Sequence, residues 1–195
     1  MSESTLCVEG LCIERRKLRE NRIIFLSGDI EQGISECVIE DFLILLAEDS
    51  KEPITLIIFS EGGEVGAGYA IIRVIEGAQR KGIKVIGSVY GRAMSMAFLI
   101  LQCCDERKMG KYCKLMCHGV TSIAIGDIKN VEAEQKLMKM FQQEMAELLA
   151  KRCTSINDDH KEPGYWYAIL EDNTPQFYNY KDALEEGLID IVEGI

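Results

Sequence analysis

Apolar and polar positions along this chain fall into short β-rich runs separated by longer stretches of helical period. Arg22-Ile23-Ile24-Phe25-Leu26 predicts a strand, ended by the turn signal Ser27-Gly28-Asp29. Ser35 is placed to cap a helix running to about residue 48, with Val38, Ile39, Phe42, Leu45 and Leu46 on one face. Ile54-Thr55-Leu56-Ile57-Ile58-Phe59 is a continuous apolar run, the pattern of a strand buried on both faces. After Ser60-Glu61-Gly62-Gly63-Glu64, a helix with the stripe Val65, Tyr69, Ile72, Ile75 and Ala78 is expected, ended by Lys81-Gly82. Residues 84–90 predict a further strand, and Phe98-Leu99-Ile100-Leu101 a further helix. Lys114-Leu115-Met116-Cys117 is a short apolar run ending at His118. A long helix is expected over about residues 128–152, capped by Asp127, with Leu137, Phe141, Met145 and Leu148 as its stripe. Residues 180–187 predict a short helix, and residues 188–192 a closing strand. The alternation of strand and helix predicts an α/β domain with right-handed crossovers. Residues 154–178, with Asn157-Asp158-Asp159-His160 and Pro163-Gly164, read as a loop, and residues 1–20 receive no element.

Composition narrows the class. The 195 residues fit one sizeable domain, 47% hydrophobic and 28% charged, with only 3 prolines. Lys and Arg number 22 against 32 Asp and Glu, a net charge of −10 that argues against a nucleic-acid partner. The one basic cluster, Arg15-Arg16-Lys17 with Arg19, is short and interleaved with acids. No apolar run approaches the roughly 18 to 20 residues a bilayer span needs, so no membrane association is expected. The N-terminus lacks the basic and apolar regions of a secretion signal, so a cytoplasmic protein is expected. The 8 cysteines, at 7, 12, 37, 103, 104, 113, 117 and 153, include no Cys-x-x-Cys pair. They read as small buried hydrophobes in a reducing compartment, with no metal and no organic cofactor implied.

The candidate chemistry starts at Ser95. It lies in Gly91-Arg92-Ala93-Met94-Ser95-Met96-Ala97-Phe98, where a strand turns sharply into a helix among small residues. Such a turn lifts a hydroxyl to a helix N-terminus, whose free N–H groups and dipole favour developing negative charge. A buried small residue at a tight packing point fits the same run. A nucleophilic serine needs a base, a group to hold that base, and donors for the oxyanion. Only 2 histidines are available. His118 ends an apolar run, where strand ends in α/β folds carry chemistry, and His160 sits in a polar stretch. Gly62-Gly63 can aim backbone N–H groups into a cleft or form a plain βα turn. Cys117 beside His118 is a competing nucleophile, but neighbours on a strand face opposite sides.

Five blocks in order then resemble the Clp protease proteolytic subunit (ClpP) family. These are Arg22 to Leu26 with Ala47-Glu48-Asp49-Ser50; Phe59-Ser60-Glu61-Gly62-Gly63-Glu64-Val65-Gly66-Ala67-Gly68; residues 91–97; Met116-Cys117-His118; and Ala183-Leu184-Glu185-Glu186-Gly187-Leu188-Ile189-Asp190. The resemblance covers about residues 20–192. It implies a crotonase/ClpP-like α/β fold of repeated ββα units with a protruding handle helix at about 128–152. Residues 21–195 would form a single protease domain, and residues 1–20 an N-terminal segment that could serve as an axial loop. The family pattern makes Ser95 the nucleophile, His118 the base, and the N–H groups of Gly63 and Met96 the oxyanion hole. It implies two stacked heptameric rings, polypeptide substrates and an AAA+ unfoldase partner, with any ATP belonging to that partner.

Three departures stand out. Glu61 replaces the family's proline before the two glycines, and His118 is followed by Gly119-Val120 where the family has Gln-Pro. The family's catalytic aspartate, aligned on Phe177, falls on Pro175. Asp172, three residues earlier, would need a small loop shift to serve, and Asn173 would be a neutral substitute. Two functional alternatives follow: a weak or inactive ring subunit, or a divergent phage-type processing protease. A third, an acyl-CoA enzyme on the related crotonase fold, would have to use Glu61 or Glu64.

Overall fold

The computed structural model describes residues 9–122, 125–153 and 161–194, with side chains from Arg15 onward. Its centre is a mostly parallel sheet in the order β1-β2-β3-β4-β7. The strands are β1 (Ile23–Ile30), β2 (Ile54–Gly63), β3 (Val85–Met94), β4 (Glu106–Gly110), β5 (Lys114–Cys117), β6 (Gln176–Tyr178) and β7 (Ile191–Glu193). β3 pairs with β4 over residues 86–89 and then, past Tyr90, with β5 over residues 92–94. β5 in turn pairs with β6, the one antiparallel partner. Past Tyr90, β3 therefore exchanges β4 for β5 while Ala93 stays paired with Ser60 of β2, and Ser95 is carried toward the strand that ends next to His118.

Seven helices complete the described residues: α1 (Glu9–Glu20), α2 (Gln32–Ala47), α3 (Val65–Arg80), α4 (Met96–Gln102), α5 (Ile128–Arg152), α6 (Pro163–Asp172) and α7 (Tyr180–Glu185). Ile24, Leu26, Ile54, Leu56, Ile58 and Val85 are fully buried, as their apolar strand pattern requires. They meet Phe42 and Leu45 of α2, Ile71 and Ile75 of α3, and the wholly buried α4. Asp127 caps α5 by accepting from the Asn130 N–H at 2.9 Å, and the helix spans the expected residues. Only its last turns are buried, at Met145, Ala146, Leu149 and Ala150; Leu137 and Met140 stand exposed.

Several expectations are corrected. β1 runs through the predicted turn, because Gly28, with φ +86, faces a bulge in which β2 carries the extra residue, Ser60 and Glu61 standing against the single Gly28. Ser35 does not cap α2. It lies buried inside the helix and donates to the Gln32 carbonyl at 2.9 Å, and the helix begins at Gln32. The predicted loop over residues 154–178 contains α6 and β6; residues 154–160, His160 among them, lie outside the described residues. Pro163 and Gly164 open α6, since a proline at the first helical position loses no helix hydrogen bond. The closing strand β7 begins at Ile191, after a turn over residues 186–188.

The N-terminal stretch, given no element from the sequence, contains α1. Its basic cluster is partly committed: Arg15 and Arg19 each reach the buried Asp41 of α2 at 2.7 Å. A second ionic tie holds the unpredicted β4. Arg107, 5% exposed, pairs with Asp190 at 2.6 Å and donates to Gln102 Oε1 at 2.7 Å. Burial works against ionisation of Asp190, but the Arg107 hydrogen bonds and charge outweigh it and hold the carboxyl below its usual range.

The buried thiols make stability depend on alkaline pH. Burial pushes Cys103 and Cys117 up to about 12 and Cys153 to about 11, from an ordinary 9.0. A pKa raised in the folded state means that only the unfolded chain loses protons between pH 9 and 11. Stability is thus fully present below about pH 9 and falls as pH rises through that window. Urea midpoints at pH 8 and 10.5, with reductant present, are expected to show a clear drop; equal midpoints would refute it.

Candidate active site

Ser95 occupies the junction between β3 and α4 with φ +52 and ψ −122. A non-glycine residue there carries strain on the order of 1–3 kcal/mol. Its backbone is held from two sides: the Ser95 N–H donates to the Met116 carbonyl at 2.9 Å, and its carbonyl accepts from Leu99 N–H at 3.2 Å. The hydroxyl therefore stands at the head of a fully buried helix, tied to the strand that ends next to His118.

His118 follows β5 directly, and its Nε2 lies 2.8 Å from Ser95 Oγ. Both side chains are half-buried. β2 brings the glycines to the same place. A Cβ on Gly62, with φ +103, would stand 2.6 Å from Ser95 Cβ; one on Gly63, with φ +149, would stand 2.2 Å from the Ile30 carbonyl oxygen. Only glycine lets this backbone approach so closely. The buried Ser60 fixes the turn by donating to the Gly28 carbonyl at 2.5 Å and accepting from Gly62 N–H at 3.0 Å. Gly63, Ser95, Met96 and His118 together line a cleft of about 60 Å³, with Met145 of α5 also in its wall. From Val120 and Thr121 a groove of about 640 Å³ continues along α5, past Glu134, Met138 and Gln142.

Asp172 does not join them. It is exposed at the end of α6, and among the described residues no carboxylate oxygen lies within 4.0 Å of the His118 ring nitrogens. Asn173 takes the left-handed conformation at the helix C-cap, with φ +55, and lines the outer groove. The β5–β6 register pairs Cys117 with Gln176, and continuing it by one residue sets Pro175 across from His118. Glu61 and Glu64 are both exposed, and Glu61 Oε1 lies 2.8 Å from Arg92 Nε. Cys117 is 1% exposed, and burial keeps its thiol protonated at neutral pH. Among the described residues no three His, Cys, Asp or Glu side chains converge as metal ligands. None of their helices is long and apolar enough to cross a membrane.

Sequence reading did not anticipate the part played by α6. A Cβ on Gly119 would stand 2.0 Å from the Leu170 carbonyl oxygen, so α6 packs directly on the backbone after His118. The signal was present in Gly119 itself, but nothing in the sequence said which element approaches it.

A hydroxyl in contact with an imidazole, beside glycine N–H groups on an α/β sheet, is equipped for acyl transfer, the chemistry of a peptidase. Comparison with known proteins supports that class. The Clp protease family model matches residues 11–194, and the chain belongs to that family. A Carsonella ruddii ATP-dependent Clp protease proteolytic subunit is 27% identical over 180 residues, covering 90% of this chain and 86% of the relative. Proteolytic subunit 3 of a Synechococcus strain is 30% identical over 184 residues, covering 90% and 84%. Proteolytic subunit 2 of Chlamydia abortus is 27% identical over 179 residues, covering 90% and 82%. The parallel sheet with its long α5 is the Clp-type fold that the resemblance implied.

Proposed function

We propose that this Clp-type peptidase is a serine endopeptidase that works through a dyad, Ser95 and His118, on unfolded polypeptide. The observation that carries this reading is the 2.8 Å contact between Ser95 Oγ and His118 Nε2 at a strained helix N-terminus. Oγ attacks the scissile carbonyl as its proton passes to Nε2, so the resting proton of the ring must sit on Nδ1. The tetrahedral oxyanion is received by the N–H groups of Gly63 and Met96, both in the wall of the cleft. His118 then donates its proton to the departing amine, leaving an acyl-enzyme on Ser95 that water hydrolyses with His118 again as base. On this reading α5 is the handle that joins two heptameric rings, and its exposed Leu137 and Met140 suit such a contact. An AAA+ unfoldase would deliver the chains.

Reaction with a fluorophosphonate followed by peptide mapping tests the proposal. The label is expected on Ser95 and is expected to vanish in Ser95→Ala; labelling that persists in that variant would sink the assignment. Pro175 favours one other reading, a ring subunit that has lost turnover. It predicts assembled rings that cleave no small peptide, and hydrolysis abolished by Ser95→Ala excludes it.

A further inference from the structure

His118 has the Ser95 hydroxyl against Nε2 and, among the described residues, no carboxylate within 4.0 Å of its ring nitrogens. In a serine hydrolase the acid holds the imidazole in place as well as stabilising its charge. Another device must then fix the ring, and the contacts around Gly119 supply one. Gly119 is buried and continues directly from His118. The Leu170 carbonyl, in the last turn of α6, sits where a Gly119 side chain would begin, 2.0 Å from that Cβ position. The carbonyls of a last helical turn have no partner within the helix. Gln142 of α5 supplies one to Leu170: its Nε2 donates to the Leu170 oxygen at 3.1 Å. The same Nε2 lies 2.9 Å from the Gly119 Cβ position, so amide, carbonyl and glycine backbone form one packed point. Leu170 itself is fully buried, as is its neighbour on the helix, Trp166.

We propose that Gln142 is a positioning residue for His118. By holding the Leu170 carbonyl against Gly119, it clamps the backbone that carries the imidazole and keeps Nε2 within reach of Ser95 Oγ. The inference rests on the Ser95–His118 reading. The clamp fixes place without supplying charge, so it orients the base but does not stabilise the imidazolium. It also explains why glycine follows the histidine here: any Cβ would push α6 away.

The test is the rate of Ser95 phosphonylation by a small fluorophosphonate, together with kcat and KM on a short peptide. Gln142→Met keeps the length and removes the donor. It is expected to lower both the labelling rate and kcat about tenfold or more, in line with the steep cost of small misplacements, with KM little changed. Gln142→Lys restores an N–H donor and is expected to recover most of the loss. In a His118→Ala background, Gln142→Met is expected to add nothing, since there is no ring left to position. Trp166, the only tryptophan, reports by fluorescence whether α6 remains packed in each variant. The proposal is overturned if Gln142→Met labels at the wild-type rate, if it changes KM alone, or if its effect persists undiminished in the His118→Ala background. Wild-type labelling that ignores Ser95→Ala or His118→Ala overturns the dyad itself, an outcome separate from any result at Gln142.

Discussion

Alanine in place of His118 is expected to lower peptide hydrolysis by roughly 10²- to 10³-fold, far less than in a complete triad. In a complete Ser-His-Asp site, loss of the histidine costs about 10⁶ in kcat, and loss of the aspartate alone costs about 10⁴. A dyad has already given up the aspartate's share. What His118 still contributes is the difference, roughly 10², or somewhat more where the Gly119 backbone is held by α6. The residual rate then belongs to the backbone N–H groups of Gly63 and Met96 and to substrate binding. Steady-state kinetics on a short peptide, with Ser95→Ala as the zero, measures it. A fall of 10⁶ would show that a carboxylate reaches His118 in the working enzyme.

Aspartate in place of Pro175 is expected to raise kcat at least tenfold. Pro175 stands one register step beyond the Cys117–Gln176 pair, opposite His118, just before β6, the one antiparallel strand of the sheet. A carboxylate there would accept from Nδ1–H, fix the tautomer that leaves Nε2 free, and stabilise the imidazolium. Loss of the proline ring costs about 0.4–1 kcal/mol of stability through the freer unfolded chain, small against the catalytic gain. Pro175→Asn separates the two roles, since a neutral amide can orient the ring without stabilising its charge. A Pro175→Asp enzyme no faster than wild type would refute the register argument.

The pH dependence of stability and the catalytic variants probe different parts of the molecule. The raised thiols at Cys117 and Cys153 lie in the core and Cys103 packs partly buried against it; burial explains why Cys117 does not compete with Ser95 despite its position beside His118.

Much of this fold could be read from the chain, and the failures have particular causes. β2 and α3 were legible because one is apolar on both faces and the other shows a clean helical stripe. β4 was not. Glu106-Arg107-Lys108-Met109-Gly110 carries three charged residues in a row, and Arg107 can be buried only because Asp190, far along the chain, meets it. α6 was hidden by Pro163-Gly164, a pair that signals a turn locally but here opens a helix. Asp172 looked available as a third catalytic group because it lies three positions from the family's aspartate; in the fold it ends a helix and faces solvent.

By itself the sequence determined the α/β class, the long capped α5, the Clp-type blocks in order, and the candidacy of Ser95 and His118. These depend on hydrophobic period, on glycine and on residue identity, all of which are local. The tertiary structure decided what those residues do to one another. The 2.8 Å contact exists because the far half of β3 leaves β4 to pair with β5, a non-local choice no window of sequence contains. The β5–β6 pairing sets Pro175 across from His118, and the packing of α6 presses Leu170 onto Gly119, so the surroundings of His118 are a matter of register and packing.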